Sequence, residues 1–265
     1  MTLTLYKADQ EIVAKVWMQL CDLRHAMDIP EERKEAVLRR AVDVIRKLES
    51  ARYHRERLGK ILDSQFAARA SERDSPKGPT VEIGGGAEQE FEAFLFQGKS
   101  TLDILVKLLG PLLGINLVSF GDGGDRVINA LRRNVASNRA ARADLLIQLI
   151  EDNKPWITPW FVDHRDHVTH HEPVVSSGFI SVTLEDGVPR HAPPATADGV
   201  PFHEAVNHLY SNLLAFCENF LALAAHITFP PIFTLVELPE ENRDQEYKRR
   251  FAVCLSGVED RGAAT

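Results

Sequence analysis

Cysteine is scarce in this chain: three in 265 residues, Cys21, Cys217 and Cys254, far apart and odd in number. That argues against a disulfide framework and fits a reducing compartment. Long apolar runs are missing as well, and none approaches the roughly 18 residues of a membrane span, so no membrane partner is expected. Residues 1–11 carry neither the basic region nor the apolar region of a secretory leader, and a cytoplasmic location is the expectation. Nor is there an excess of positive charge. Lys and Arg number 31 against 38 Asp and Glu, a net charge of −7, which excludes a uniformly basic nucleic-acid binder. What remains is ordinary for a soluble globular protein, 44% hydrophobic and 26% charged. The length suffices for a buried core in one large domain or two small ones.

Helical periodicity dominates. From Glu31 to Phe66 the positions Val37, Ala41, Val44, Leu48, Ala51, Leu58 and Leu62 recur at spacings of one or two turns, and only Arg55 interrupts the stripe. Pro30 precedes this run, and Glu31 and Glu32 in its first turn suit the helix dipole. A shorter helix is expected from Ala8 to Met27. Another is marked by Phe91, Phe94, Leu95, Leu102, Leu105 and Leu109. A further helix spans Arg126 to Glu151, with Asp125 as its cap. Thr158 and Pro159 read as the cap and first residue of the next, with Ile157 and Val162 placed as a hydrophobic staple and an end near Glu172, before Pro173. The last long helix runs from Pro201 to His226. Phe179 to Leu184 with Asp186-Gly187 suggests a small hairpin, and Phe233–Val236 with Phe251–Leu255 a short strand pair.

The expected fold is therefore mainly α, a bundle of about five to seven helices with a minor β-hairpin. Pro76, Gly78, Pro79 and Gly84-Gly85-Gly86 mark 71–87 as a linker. This divides the chain into N-terminal helices over 1–70, a bundle over 88–226 and an extension over 227–265.

One segment concentrates chemistry. Trp160-Phe161-Val162-Asp163-His164-Arg165-Asp166-His167-Val168-Thr169-His170-His171-Glu172-Pro173 holds four of the ten histidines. Charged and imidazole groups are costly to bury without partners, so such a cluster is either well solvated or arranged for a task. Histidine can take the proton of a ribose 2′-hydroxyl near neutral pH. A neighbouring arginine can hold the phosphate with a forked, permanent charge.

Arg165-Asp166 followed by His170, with His171 also at a permitted spacing, resembles the signature of the HEPN family of small helical bundles: arginine, a polar residue, then histidine after four to six residues in all. The resemblance covers at most 87–226. It implies a homodimer in which two motifs face one cleft, and a metal-independent endoribonuclease needing no cofactor, in a toxin–antitoxin or phage-defence setting. By that likeness Arg165 binds the scissile phosphate, His170 is general base or acid, and Asp166 orients or tunes the pair. RNA is the implied partner, with an antitoxin or regulatory protein as a second. Other members of the family are inactive, so a non-catalytic dimeric binding or regulatory module is the alternative. On a regular helix, residues five apart point about 140° away from each other, so the pair requires a distorted helix, an arginine side chain that wraps round, or a site composed across a dimer.

Three further patterns compete. Between Arg126 and Arg142 lie five arginines and no acidic residue. Arg132, Arg133 and Arg139 in that stretch are candidates to guide RNA, whereas a solvated helix face balanced by acidic neighbours is the plainer reading. His164, His167 and His171 form one stripe of a helix beside Asp163, a candidate metal site. Bundle metal sites draw ligands from several helices, however, and His203, Glu204, His208 and His226 supply no clear second pair, so solvated histidines are the more ordinary reading. Gly98-Lys99-Ser100-Thr101 copies the end of a phosphate-binding loop. Ala93 stands where that loop needs glycine, and a helical stripe runs through it, so Gly98 is expected at a close packing contact. Gly121-Asp122-Gly123-Gly124-Asp125 reads as a turn between helices, Cys217 as core, and Trp156 and Trp160 as anchors of a helix.

Overall fold

A computed structural model describes residues 9–72, 86–163, 182–185, 188–191, 200–243 and 249–256. The chain is mainly α, as expected. Helical turns run from Gln10 to Ala26: α1 (Gln10–Ile12), a π turn (Val13–Met18), α2 (Gln19–Leu23) and a 3₁₀ turn (Arg24–Ala26). The Asp9 carboxylate caps this run, accepting from the amides of Glu11 at 2.8 Å and Ile12 at 3.4 Å. Next come α3 (Glu31–Glu72), α4 (Ala87–Val106), α5 (Leu109–Leu113), α6 (Asp125–Asn134), α7 (Ala140–Ile157) and α8 (Phe202–Ile227). The strands form two antiparallel pairs: β1 (Val182–Glu185) with β2 (Val188–His191), and β3 (Phe233–Glu237) with β4 (Phe251–Leu255). The linker expected over 71–87 falls mostly outside the described residues.

Two compact units make up the chain, each from separated stretches of sequence: 1–49, 100–158 and 213–265 in the first, 50–99 and 159–212 in the second. The sequence reading divides the chain into consecutive segments instead. In the first unit Val37, Ala41, Val44 and Leu48 are buried with Leu102, Leu105, Leu131, Leu146, Ile150, Leu213 and Phe220. In the second, Ala51, Leu58 and Leu62 are buried along with Phe91, Phe94, Phe161 and Phe202. The rings of Phe91 and Phe202 stack at 4.7 Å. Arg55, the break in the α3 stripe, lays its guanidinium 4.2 Å from the centre of the Tyr210 ring, where a cation can face π density.

Four expectations are corrected. Arg126 to Glu151 is not one helix. Val135 and Ala136 are extended, and a 3₁₀ turn (Ser137–Arg139) then starts α7. Asn134, Ser137 and Asn138 fall at the break, residues whose side chains compete for backbone hydrogen bonds. Asp125 is the first helical residue rather than the cap. Gly124 (φ 95°) occupies the cap position, and Asp125 pairs with Lys154 at 2.5 Å. Leu109 opens α5 rather than closing α4.

Thr158-Pro159, finally, does not start a helix. Thr158 is itself helical and donates its amide to the Lys154 carbonyl, and winding continues as a π turn (Thr158–Asp163). A cap is worth about 1 kcal/mol. Ile157 and Phe161, fully buried one turn apart, are each worth about 1.5–3 kcal/mol. Burial on both sides of Thr158 outweighs the local signal.

Candidate functional site

Arg165, Asp166 and His170, together with the stripe His164, His167 and His171, lie outside the described residues. The approach to them is described. α7 contains Pro155, and Pro159 follows in the π turn, two positions that cannot donate to the helical ladder. The wider π winding is the kind of local adjustment that inserts into helices, often beside functional sites. The turn is held from one side. Phe161 is fully buried, 6.0 Å ring to ring from Phe94, and the Trp160 ring meets Phe91 edge-on at 6.3 Å. A Cβ on Gly98 would come within 2.1 Å of the Phe161 ring. Gly98 therefore serves the close packing contact expected of it, inside α4. Trp156 donates from Nε1 to Asn153 Oδ1 at 2.7 Å and meets Phe216 edge-on at 6.1 Å, an anchoring role.

The arginine stretch is mostly engaged. Arg126 pairs with Asp122 at 2.7 Å, Arg132 with Glu151 at 3.4 Å, and Arg139 with Asp28 at 3.6 Å. Arg142 reaches carbonyls just beyond the end of α8, donating to Phe229 at 2.5 Å and Phe233 at 3.0 Å. Burial lowers its pKa, with Arg139 adding to the effect. Arg133 is exposed on α6. The five arginines thus do not act as one surface of free charge.

The second unit contains a constellation that sequence reading missed. Glu90 on α4 accepts from Arg57 Nε at 2.9 Å and meets His54 Nδ1 at 2.7 Å, both from α3. A carboxylate on Nδ1 fixes the imidazole tautomer and leaves Nε2 as its basic nitrogen, the arrangement used to orient a general base. His54 and Arg57 are one turn apart, which is legible. Glu90 is 36 residues away, and no sequence period reveals it.

Three other histidines, His203, His208 and His226, do not converge. His203 lies 3.8 Å from Glu204, and His208 is 3.0 Å from Asn212. His226 is buried against Phe229, with no partner for either ring nitrogen among the described residues. Burial, then the nearby Arg142 charge, push its pKa down to about 4. Among the described residues no group of three or more His, Cys, Asp or Glu side chains is placed to hold a metal ion, and no helix is long and apolar enough to cross a membrane. Cys217 is fully buried, and burial pushes its thiol well above the range of a nucleophile. No family model matches the chain, and no curated protein or solved structure matches it.

Proposed function

We propose that this chain is a metal-independent endoribonuclease resembling the HEPN proteins, acting as a homodimer on RNA in a toxin–antitoxin or phage-defence setting. The observation that carries the reading is the run Arg165-Asp166-His167-Val168-Thr169-His170, which starts two residues beyond a helical segment ending at Asp163 in a mainly α chain. The packing of Trp160 and Phe161 supports it by fixing the backbone from which the run departs.

In this reading His170 removes the ribose 2′-hydroxyl proton, and the oxygen attacks the adjacent phosphorus. The 5′-oxygen leaves, giving a 2′,3′-cyclic phosphate, with a protonated imidazole as proton donor. Arg165 stabilises the charge that builds on the phosphoryl oxygens, and Asp166 orients the pair. Arg133, exposed on α6, is the candidate guide for RNA, and Arg132 and Arg139 contribute only by leaving their acidic partners. The test is cleavage of mixed single-stranded and structured RNA in excess EDTA by wild type and His170→Ala. Cyclic-phosphate products from wild type alone support the reading, and cleavage that needs a divalent metal overturns it.

The ion pairs of Arg126 and Arg132 favour the second reading, a non-catalytic dimeric helical module that binds a regulatory partner. Absence of cleavage by wild type would support it. The stripe His164, His167 and His171 keeps a third reading, a metalloprotein, open to elemental analysis.

A further inference from the structure

The first unit contains a cleft of about 370 Å³, lined from four directions: the segment 28–30 with Arg33 of α3, the end of α5, the break between α6 and α7, and Ile227 at the end of α8. Its volume falls in the range of small-molecule sites, which are mostly apolar with a few convergent polar groups. The lining here is more polar than that, and it includes the Asp28 carboxylate. Leu112, Val135 and Ile227 supply apolar surface, while Arg33, Arg139, Asn134 and Asn138 supply the polar groups.

Three of these groups, Arg33, Arg139 and Asn134, have capacity left. Arg33 donates from Nε to the Pro111 carbonyl at 2.7 Å and, at a long 3.5 Å, to Gly110, which fixes the guanidinium while occupying only part of its fork. Arg139 has Asp28 as its acidic partner, 3.6 Å away, and the Asp28 side chain is 67% exposed. A pair that long and that solvated is worth little. Asn134 donates one of its two amide protons to the Ala130 carbonyl at 2.7 Å, leaving its other donor and its oxygen. No acidic residue stands in the first turn of α7, which begins at the cleft, and the carboxylate that a bound negative charge must displace is Asp28.

We propose that this cleft binds a carboxylate attached to an apolar side chain and an amide: the guanidiniums of Arg139 and Arg33 take the carboxylate, Val135, Ile227 and Leu112 take the side chain, and Asn134 and Asn138 take the amide. A free N-acylated amino acid and the C-terminal residue of a polypeptide share this chemistry. The bound carboxylate replaces Asp28 as the partner of Arg139, a bidentate contact displacing a long one. The proposal stands apart from the catalytic step of the ribonuclease reading, because it uses no residue of the Arg165–His170 run and requires no turnover, and Arg139 is the one residue to which both assign a role.

The test is titration of the full chain, followed by backbone amide NMR, with N-acetyl-leucine, its uncharged amide, sodium acetate and a hexapeptide ending in leucine. N-acetyl-leucine should shift the amides of residues 134–139 saturably below ~10 mM, the weak end expected for a ligand of this size. The uncharged amide and acetate should bind at least about tenfold more weakly. Arg139→Ala should weaken N-acetyl-leucine binding by about tenfold, and Asp28→Asn should tighten it by a few-fold, opposite directions that a general loss of structure does not produce. Hexapeptide binding tighter than that of N-acetyl-leucine would assign the site to a polypeptide terminus, and weaker binding to a free acid. Equal shifts by the charged and uncharged forms, no saturable shift, or the same response in both variants would overturn the proposal.

Discussion

Gln19 and Phe251, 232 residues apart, are joined as two strands would be: the fully buried Gln19 side chain accepts from the Phe251 amide at 2.9 Å and donates to the Phe251 carbonyl at 2.8 Å. It also accepts from the Arg250 amide at 3.1 Å. One side-chain amide thus supplies the outer edge of β4 with the donor and acceptor that a third strand would provide. It fastens the β3–β4 pair to the helical run at the chain start, where Arg249 also meets Asp22 at 2.6 Å.

Gln19→Leu keeps the volume and removes the hydrogen bonds. The Phe251 amide and carbonyl then lose their partner inside the protein, at about 1–3 kcal/mol for each group left unsatisfied. We expect a loss of about 2–4 kcal/mol in urea unfolding. Hydrogen exchange at Phe251 and Ala252 should rise more than exchange in α7. Unchanged stability would mean that β3–β4 is held by its apolar contacts alone.

Gly98→Ala should destabilise by about 1–3 kcal/mol, the usual range for overpacking, because the new methyl group meets the buried Phe161 ring. Pairing it with Phe161→Leu should recover part of that loss, giving a coupling energy a double-mutant cycle can read. The cycle also tests the anchoring of the π turn that leads to His164. Additive effects would show that Phe161 moves aside at little cost.

These positions mark what sequence could and could not reveal. The α3 stripe was legible because helical burial repeats locally, and every position named in it is buried. The reason for its interruption at Arg55 was not, since Tyr210 lies far along the chain. Thr158-Pro159 misled because cap chemistry is local, whereas the burial of Ile157 and Phe161 that overrides it is tertiary. His54 and Glu90 escaped for the same reason. Of the candidate site, the residue types and spacing at Arg165–His170 are all that sequence supplies. Spacing alone leaves the angle between the two side chains unsatisfied on a regular helix.

His226 should make the fold acid-sensitive. Its pKa is ordinary when unfolded and is held down to about 4 when folded, by burial first and by Arg142 second. The imidazole therefore contributes fully above its unfolded value, near 6.5, and that stability is lost as pH falls toward 4. Between pH 7.5 and 4.5 the loss is on the order of 2–3 kcal/mol. His226→Leu should flatten this part of the stability profile in urea unfolding. An equal slope in both proteins would show that other groups set the acid response.

Glu218 should act in the opposite direction. Its side chain is 1% exposed, and its Oε1 has no hydrogen-bond partner among the described residues. Burial raises its pKa, against the charges of Lys15, Arg250 and Arg243, which lower it. A raised acid contributes stability that is full below its unfolded pKa and is lost as pH rises through the folded one. Glu218→Gln should therefore be more stable than wild type at pH 8, with the difference closing by pH 4. A variant less stable at pH 8 would mean that the charged form is held by those three cations.

The spacing of Arg165 and His170 yields the most specific expectation for function. Removing a positioned acid or base costs typically 10²–10⁴-fold in rate, so His170→Ala and Arg165→Ala should each lose RNA cleavage to at least that extent with the fold intact. Residues five apart on a regular helix diverge by about 140°, so a productive site is more readily assembled from the arginine of one protomer and the histidine of its partner. Mixing the two inactive variants and allowing subunits to exchange should then restore activity, because each heterodimer has one site with both native residues. If the site lies within one chain, every site in the heterodimer lacks one residue and the mixture stays inactive. Restored cleavage would establish a composite site. A silent mixture of two variants that dimerise normally would place both groups on one chain.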